Sequence, residues 1–424
     1  MNPLLDRVLQ AARQLGASDV HLKAGLPPIF RIRGELRTVR DVPPLSREVL
    51  GSFAAAIMNE RQRQVFEECW DVDLAYGTPD GVRYRVNVFQ QRGNIGMVMR
   101  LIPPDVPPFE RLNLPPTVLK LAQEERGLVL VTGITGSGKS TTLAAIVDYI
   151  NSNRAAHIVT IEDPIEYAFR DRRSVVNQRE VGFDTKSFSK ALRAALRQDP
   201  DVILVGEMRD PETMEIALTA AETGHLVLST LHTLDATETV NRIVSAFPPF
   251  QQQQIRLAIA SVMKGVVSQR LVPRADGKGM VPAVEVLVAS ARVRELISDP
   301  LRTKEIHDAI KEGKDIYGMV SFDQSLTDLV KTRLVTYDDA LAHSSNPDDF
   351  ALFFRGVMGS ADMVTGSVAP VGQPARRPQP QSTRPTGPQP PQAVPAKPAA
   401  APAAPPAPAG GGFELELEHL GGKD

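Results

Sequence analysis

Gly127-Leu128-Val129-Leu130-Val131-Thr132-Gly133-Ile134-Thr135-Gly136-Ser137-Gly138-Lys139-Ser140-Thr141 reads as a strand, a glycine-rich loop and the start of a helix in direct succession. Leu128 to Val131 is apolar and partly β-branched, the composition of a buried strand, and a helical pattern takes over from Thr141 to Ile150. Glycines let the main chain close around phosphate oxygens, while the free N–H groups of the helix start point at the same place. Strand before and helix after distinguish a phosphate loop from an ordinary tight turn. The expected nucleotide-binding set is Gly133, Thr135, Gly136, Ser137, Gly138, Lys139, Ser140 and Thr141. In such a loop the lysine reaches the β- and γ-phosphates and the serine ligates magnesium, so ATP and Mg2+ are the expected ligands.

Working outward, strand-like runs recur at His157–Ile161, Val202–Val205 and Leu226–Thr230, with helical stretches between them. That alternation predicts an α/β domain with a doubly wound, mostly parallel sheet from about 118 to 290. Thr160-Ile161-Glu162-Asp163-Pro164-Ile165-Glu166 ends one of these strands in carboxylates. Glu162 is the expected base for the water that attacks the γ-phosphate, with Asp163 on magnesium. Asp201 to Glu207 ends the next strand in Glu207, expected to hold magnesium together with Ser140 and to serve catalysis. His225 and His232 flank the fourth run. Three readings stand for them: nucleotide contacts, with His232 sensing the γ-phosphate; ordinary structural histidines; or a zinc pair lacking a third ligand.

Before this domain, residues 1–102 read as a small α+β domain. Leu4, Leu5, Val8, Ala12 and Leu15 recur at helical spacing, which predicts an amphipathic helix and not a signal peptide. Val82 to Gln90 alternates with period two behind the turn Thr78-Pro79-Asp80-Gly81, and Ile95 to Ile102 suits the next strand. Arg83, Arg85, Arg92 and Arg100 fall on these strands. They read as solvated surface charges, as arginine fingers for a nucleotide (Arg83, Arg85 and Arg100 being the candidates), or as a basic RNA-binding sheet, for which stacking aromatics are scarce. The proline-rich segment 103–117 reads as a linker. Helical patterns dominate 291–358, and the Pro/Ala-rich 359–424 is expected to be disordered. Its last stretch, with Phe413, Leu415 and Leu417 among acids, reads either as a docking peptide or as a solubilising end.

A net charge of −2 provides no global field for nucleic acid or anionic membrane. Cys69 is the single cysteine, which excludes internal disulfides and a multi-cysteine zinc knuckle. No apolar run approaches the roughly 20 residues of a membrane span, so a cytoplasmic location is expected.

These motifs resemble the bacterial secretion/pilus ATPase superfamily, most closely the PilT-type retraction ATPases of type IV pili. Gly133–Ser140 looks like the Walker A box, 160–167 like the acidic box, Asp201–Asp210 like Walker B and Thr223–Thr233 like the histidine box. Ser18–Gly25 looks like the start of the family's PAS-like N-terminal domain, and Gly318–Leu326 is also family-like. The resemblance implies a PAS-like domain followed by a RecA-like ATPase domain with C-terminal helices. It further implies a homo-hexamer that acts on an inner-membrane platform protein to withdraw pilin, peripheral to the membrane through the pilus machine, with no nucleic-acid partner. The stretch Arg292-Val293-Arg294-Glu295-Leu296-Ile297-Ser298-Asp299 keeps only Arg294, Leu296 and Ile297 of the retraction pattern Ala-Ile-Arg-Asn-Leu-Ile-Arg-Glu. Three roles therefore stay open: a primary motor, an accessory PilU-like paralogue working with another motor, and a nucleotide-controlled adaptor. A nucleic-acid translocase on the same ring fits the charge less well.

Overall fold

The computed structural model describes residues 2–364 except 33, 40, 41, 104 and 105, with the side chains of 357–364 left aside. The chain divides into the units Met1–Val357 and Met358–Asp424. The second is described only as the end of the final helix, and the expected disordered tail and its terminal peptide lie outside the described residues from 365 on.

The first unit begins with helix α1 (Pro3–Gln14), started by Asn2, whose side chain accepts from the N–H groups of Leu4 and Leu5, and by Pro3 in its first turn. Six strands follow: β1 (Ala17–Lys23), β2 (Ile29–Ile32), β3 (Glu35–Thr38), β4 (Asp71–Gly77), β5 (Arg83–Gln91) and β6 (Asn94–Leu101), with α2 (Arg47–Ile57) and α3 (Glu60–Cys69) between β3 and β4. They form an antiparallel sheet in the order β3-β2-β1-β6-β5-β4. On β5 the period-two pattern buries Tyr84, Val86 and Val88 and turns Arg83, Arg85 and Asn87 to the other face.

The second sheet comprises β7 (Gly127–Thr132), β8 (His157–Glu162), β9 (Val175–Glu180), β10 (Val202–Val205), β11 (Leu226–Leu231), β12 (Met263–Pro273) and β13 (Met280–Val288), in the order β13-β12-β7-β11-β10-β8-β9. Only β12–β13 is antiparallel. The intervening helices are α4 (Pro116–Ala122), α5 (Lys139–Asn153), α6 (Phe188–Ala195), α7 (Pro211–Glu222), α8 (Ala236–Ser245) and α9 (Pro249–Val262). Neighbouring residues of one strand enter different cores: Leu128 and Leu130 join Val159, Ile203 and Val227 on one side of the sheet. Val129 and Val131 join Ile158, Leu204 and Leu228 on the other, with Leu143 and Ile146 of α5. A strand covered on both faces is apolar throughout, which is why these four runs are legible.

Strands β9, β12 and β13 carry no such pattern, and the sequence reading passed over them. Ser268, Gln269 and Glu285 break up the apolar runs, yet all three are buried. Each is satisfied: Ser268 by Thr132 Oγ1, Gln269 by Thr142 Oγ1 and Glu285 by the Ala236 N–H. Pro282 is tolerated because β13 is the edge of the sheet. Beyond it come α10 (Ala291–Ser298), α11 (Ile306–Glu312), α12 (Lys314–Tyr317), α13 (Phe322–Lys331), α14 (Tyr337–His343) and α15 (Pro347–Val364). Replacing Leu228, which is fully buried at the centre of the sheet, by alanine is expected to destabilise the protein by about 2–5 kcal/mol, read as a lower unfolding midpoint in urea.

Candidate functional site

The phosphate loop leaves the carboxyl end of β7 against β12, with little room for side chains. Gly133 has φ +142°, and a Cβ there would lie 2.3 Å from the Gln269 carbonyl oxygen. At Gly138, φ is +87° and a Cβ would lie 2.7 Å from Gln269 Nε2. Both positions require glycine for its φ and for space. Helix α5 starts at the next residue, Lys139, so its free N–H groups face the loop. Inside the loop the Ser137 hydroxyl is buried without a hydrogen-bond partner. Lys139 Nζ donates to the carbonyls of Gly133 at 2.8 Å and Ile134 at 2.9 Å. Burial holds its ammonium below the usual lysine range, opposed by Glu166 and Glu207. A glycine-walled cradle, an unpartnered hydroxyl and a buried ammonium at a helix start fit a polyphosphate.

The loop opens into a cleft of about 610 Å³ that is also lined by Glu162, Asp163, Glu207, His232 and Arg85. Glu162, the last residue of β8, is buried. Its Oε1 accepts from Thr160 Oγ1 at 2.6 Å and from Gln178 Nε2 at 3.2 Å. Burial pushes its carboxyl above the ordinary range, against the pull of those two donors. Glu207 follows β10 and pairs with Arg209 Nε at 2.7 Å, while His232 Nε2 stands 3.7 Å from its other oxygen. The ends of β10 and β11 are tied by Thr230 Oγ1 donating to Gly206 O at 2.6 Å and Ser229 Oγ to Val205 O at 2.7 Å. Ser140, Asp163 and Glu207, the residues expected on magnesium, line this same cleft, and their hard oxygens suit such a cation.

Not every expected residue is brought here. His225 stands before β11, with its ring Nδ1 2.8 Å from Ala220 O and its carbonyl accepting from the Gly127 N–H. The strand Leu226–Leu231 separates it from His232, a rise of roughly 20 Å at about 3.3 Å per residue. It therefore stands at the amino end of β11, and it is not among the residues that line the cleft. Arg85 lines the cleft. Arg83 and Arg85 both act on buried Glu180, whose carboxyl burial pushes up and the arginines draw down. Arg100 instead pairs with Asp19 at 2.8 Å. The sequence reading missed Gln269, Thr142 and Tyr167, whose Oη lies 3.0 Å from Thr141 Oγ1. Nothing in the β12 pattern singles out Gln269.

Comparison with known proteins agrees with this architecture. The family described as Type II/IV secretion system protein (T2SSE) matches residues 1–348. The chain belongs to this family. Within the T2SSE family, the type IV pilus retraction ATPase PilT of Pseudomonas aeruginosa is 43% identical over 346 residues, 82% of this chain and 99% of PilT. The type IV pilus ATPase PilU of the same organism is 41% identical over 352 residues, 82% of this chain and 91% of PilU. A crystal structure of the pilus retraction motor PilT with bound ADP matches with a TM-score of 0.76 at 46% identity, covering 81% of this chain and 98% of that one.

The burial of Glu162 has a consequence for stability. Because its folded-state carboxyl binds protons more readily than in the unfolded chain, stability falls as pH rises through the interval between the two values. Glu162→Gln, which stays neutral and keeps an acceptor for Thr160, is expected to raise the thermal midpoint above wild type at and above neutral pH. The gap should close as pH falls toward the ordinary glutamate range; an equal gap at every pH would contradict the assignment.

Proposed function

We propose that this chain is an ATP-hydrolysing, force-generating motor for type IV pilus retraction, and hence for twitching motility. The observation that carries the reading is the single cleft in which the phosphate loop, Glu162, Glu207 and His232 meet from neighbouring parallel strands. The PilT relative covers nearly its whole length in the match, so the likeness is not confined to the nucleotide loop.

Lys139, Ser137 and the N–H groups at the start of α5 hold the phosphates of ATP. Ser140, Asp163 and Glu207 hold Mg2+, which when bound neutralises phosphate charge and fixes the orientation of the nucleotide. Glu162 takes the proton of the attacking water, and burial raises its affinity for that proton. Arg209 and His232 brace Glu207 beside it. Arg85 supplies positive charge from the first sheet, and Arg83 and Arg100 are further candidates, Arg100 with a side chain 69% exposed to solvent and so open to contact by another subunit of the ring. The working form is a homo-hexamer that acts on an inner-membrane platform protein from the cytoplasmic side. Among the described residues no helix is long and apolar enough to cross a membrane, which suits a peripheral position.

One observation favours the accessory, PilU-like reading. In the altered stretch of α10, Arg292 pairs with Glu312 and Glu295 pairs with Arg302, so two changed positions are engaged within the chain. The 41% identity to PilU is close to that for PilT and does not separate the two.

The deciding experiment is Glu207→Ala at normal expression, with ATPase activity measured on the purified protein. A loss of about 100-fold or more in kcat is expected. Loss of retraction with pili still assembled identifies the primary motor. Normal retraction without hydrolysis moves the chain to the accessory role.

A further inference from the structure

We propose that Gln269 is a positioning residue of the phosphate loop, setting nucleotide affinity by fixing the loop's shape. The inference rests on the reading of the cleft as the nucleotide site, and goes beyond it by adding a residue from a strand outside the motif.

Strand β12 runs parallel to β7 with Ser268 opposite Thr132, their hydroxyls 3.0 Å apart. The next residue, Gln269, therefore falls beside Gly133, where the loop departs. Its main-chain carbonyl oxygen would lie 2.3 Å from a Cβ at Gly133 and its side-chain Nε2 2.7 Å from a Cβ at Gly138, so the strand walls one end of the loop and the amide side chain the other. Its Oε1 accepts from Thr142 Oγ1 at 2.8 Å, which ties the same side chain to the first turn of α5. The residue is 3% exposed, and its Oε1 is held by Thr142.

The choice of an amide follows from this setting. A leucine of similar length would leave the buried Thr142 hydroxyl without its acceptor. A glutamate would keep that acceptor but put negative charge under a loop shaped for phosphates. The wall is also held from behind. Arg270, on the opposite face of β12, donates to His343 O and Ser345 Oγ at 2.9 Å each, and its guanidinium lies 4.0 Å from the centre of the Phe322 ring. Displacing β12 from the loop would break these contacts together. Gln269 acts through the loop and not on the reacting atoms, so its signature is a change in affinity and KM with kcat largely kept.

The test uses the purified full chain, titrated with fluorescent ADP and assayed for steady-state ATP hydrolysis. Gln269→Leu is expected to weaken ADP binding and raise KM about tenfold, with kcat within about twofold of wild type. Gln269→Glu should weaken ATP binding more than ADP binding. Thr142→Val should give a smaller loss, and the double variant Gln269→Leu/Thr142→Val should be no worse than Gln269→Leu alone, because the two side chains act as one unit. Unchanged KM in both Gln269 variants overturns the proposal, as does a fall in kcat at constant KM. If Gln269→Leu does not fold, Thr142→Val decides alone, since it removes the same bond from the other side: raised KM with kcat kept supports the proposal, and unchanged KM overturns it. Wild-type protein that binds no nucleotide would instead defeat the reading of the cleft itself.

Discussion

The site depends on the register of one parallel ladder. Ile161 lies opposite Val205, Val205 opposite Ser229, Leu231 opposite Thr132, and Thr132 opposite Ser268. The pairing among these five strands ends at one edge, though β8 and β12 continue beside β9 and β13, and the residues just past it are brought together there: Glu162, Glu207, His232, Gly133 and Gln269. A slip of one residue in any of these strands would exchange its two core faces and move its functional residue off the edge. Polar side chains at that edge lock the register by bonding across it, as Thr132 does with Ser268 and Thr230 with Gly206 O. The carboxyl end of a parallel sheet is where α/β folds place ligands generally, and here the ladder explains why.

Burial then tunes opposite charges toward neutrality. It lowers the proton affinity of Lys139, at the start of α5, and raises that of Glu162, at the end of β8. A desolvated ammonium gains more from a phosphate partner than a solvated one, and a glutamate that holds a proton more readily is better suited to take one from water. Glu207 is set apart from this pair by direct contacts, with Arg209 on one oxygen and His232 near the other. The two acids are therefore made different by environment alone, the usual basis for giving two carboxylates two roles.

What the sequence discloses and what it hides follow from the same physics. β7, β8, β10 and β11 are sandwiched between two cores and are apolar along most of their length, with polar residues gathered mainly toward their carboxyl ends, so they stand out. β12 is also buried, but it meets the loop and the C-terminal helices with Ser268, Gln269 and Arg270, and those polar residues hide the strand. The phosphate loop is legible because its chemistry is local. The wall beneath it is not, because its role is a fit between Gln269 and two glycines far away in sequence. The histidines show a related limit: His225 and His232 look alike in sequence, and only the extended strand between them places one at each end of the sheet.

The first sheet is tied to this chemistry by a row of residues across its strands. Arg85 lies opposite Arg100, Arg100 opposite Asp19, and Asp19 opposite Arg31, so the four share one face. Like charges directly opposed are unfavourable, and the row needs its carboxylate. Burial pushes the Asp19 carboxyl up, but Arg100, Ser18 and Arg31 outweigh it and hold it below the ordinary range. Asp19 pairs with Arg100 at 2.8 Å and with Arg31 at 3.7 Å, which leaves Arg85 at the end of the row that borders the cleft. Arg85 in turn draws down the carboxyl of buried Glu180 on β9, so the row runs from Asp19 in the first sheet to a carboxylate of the second at the border of the cleft.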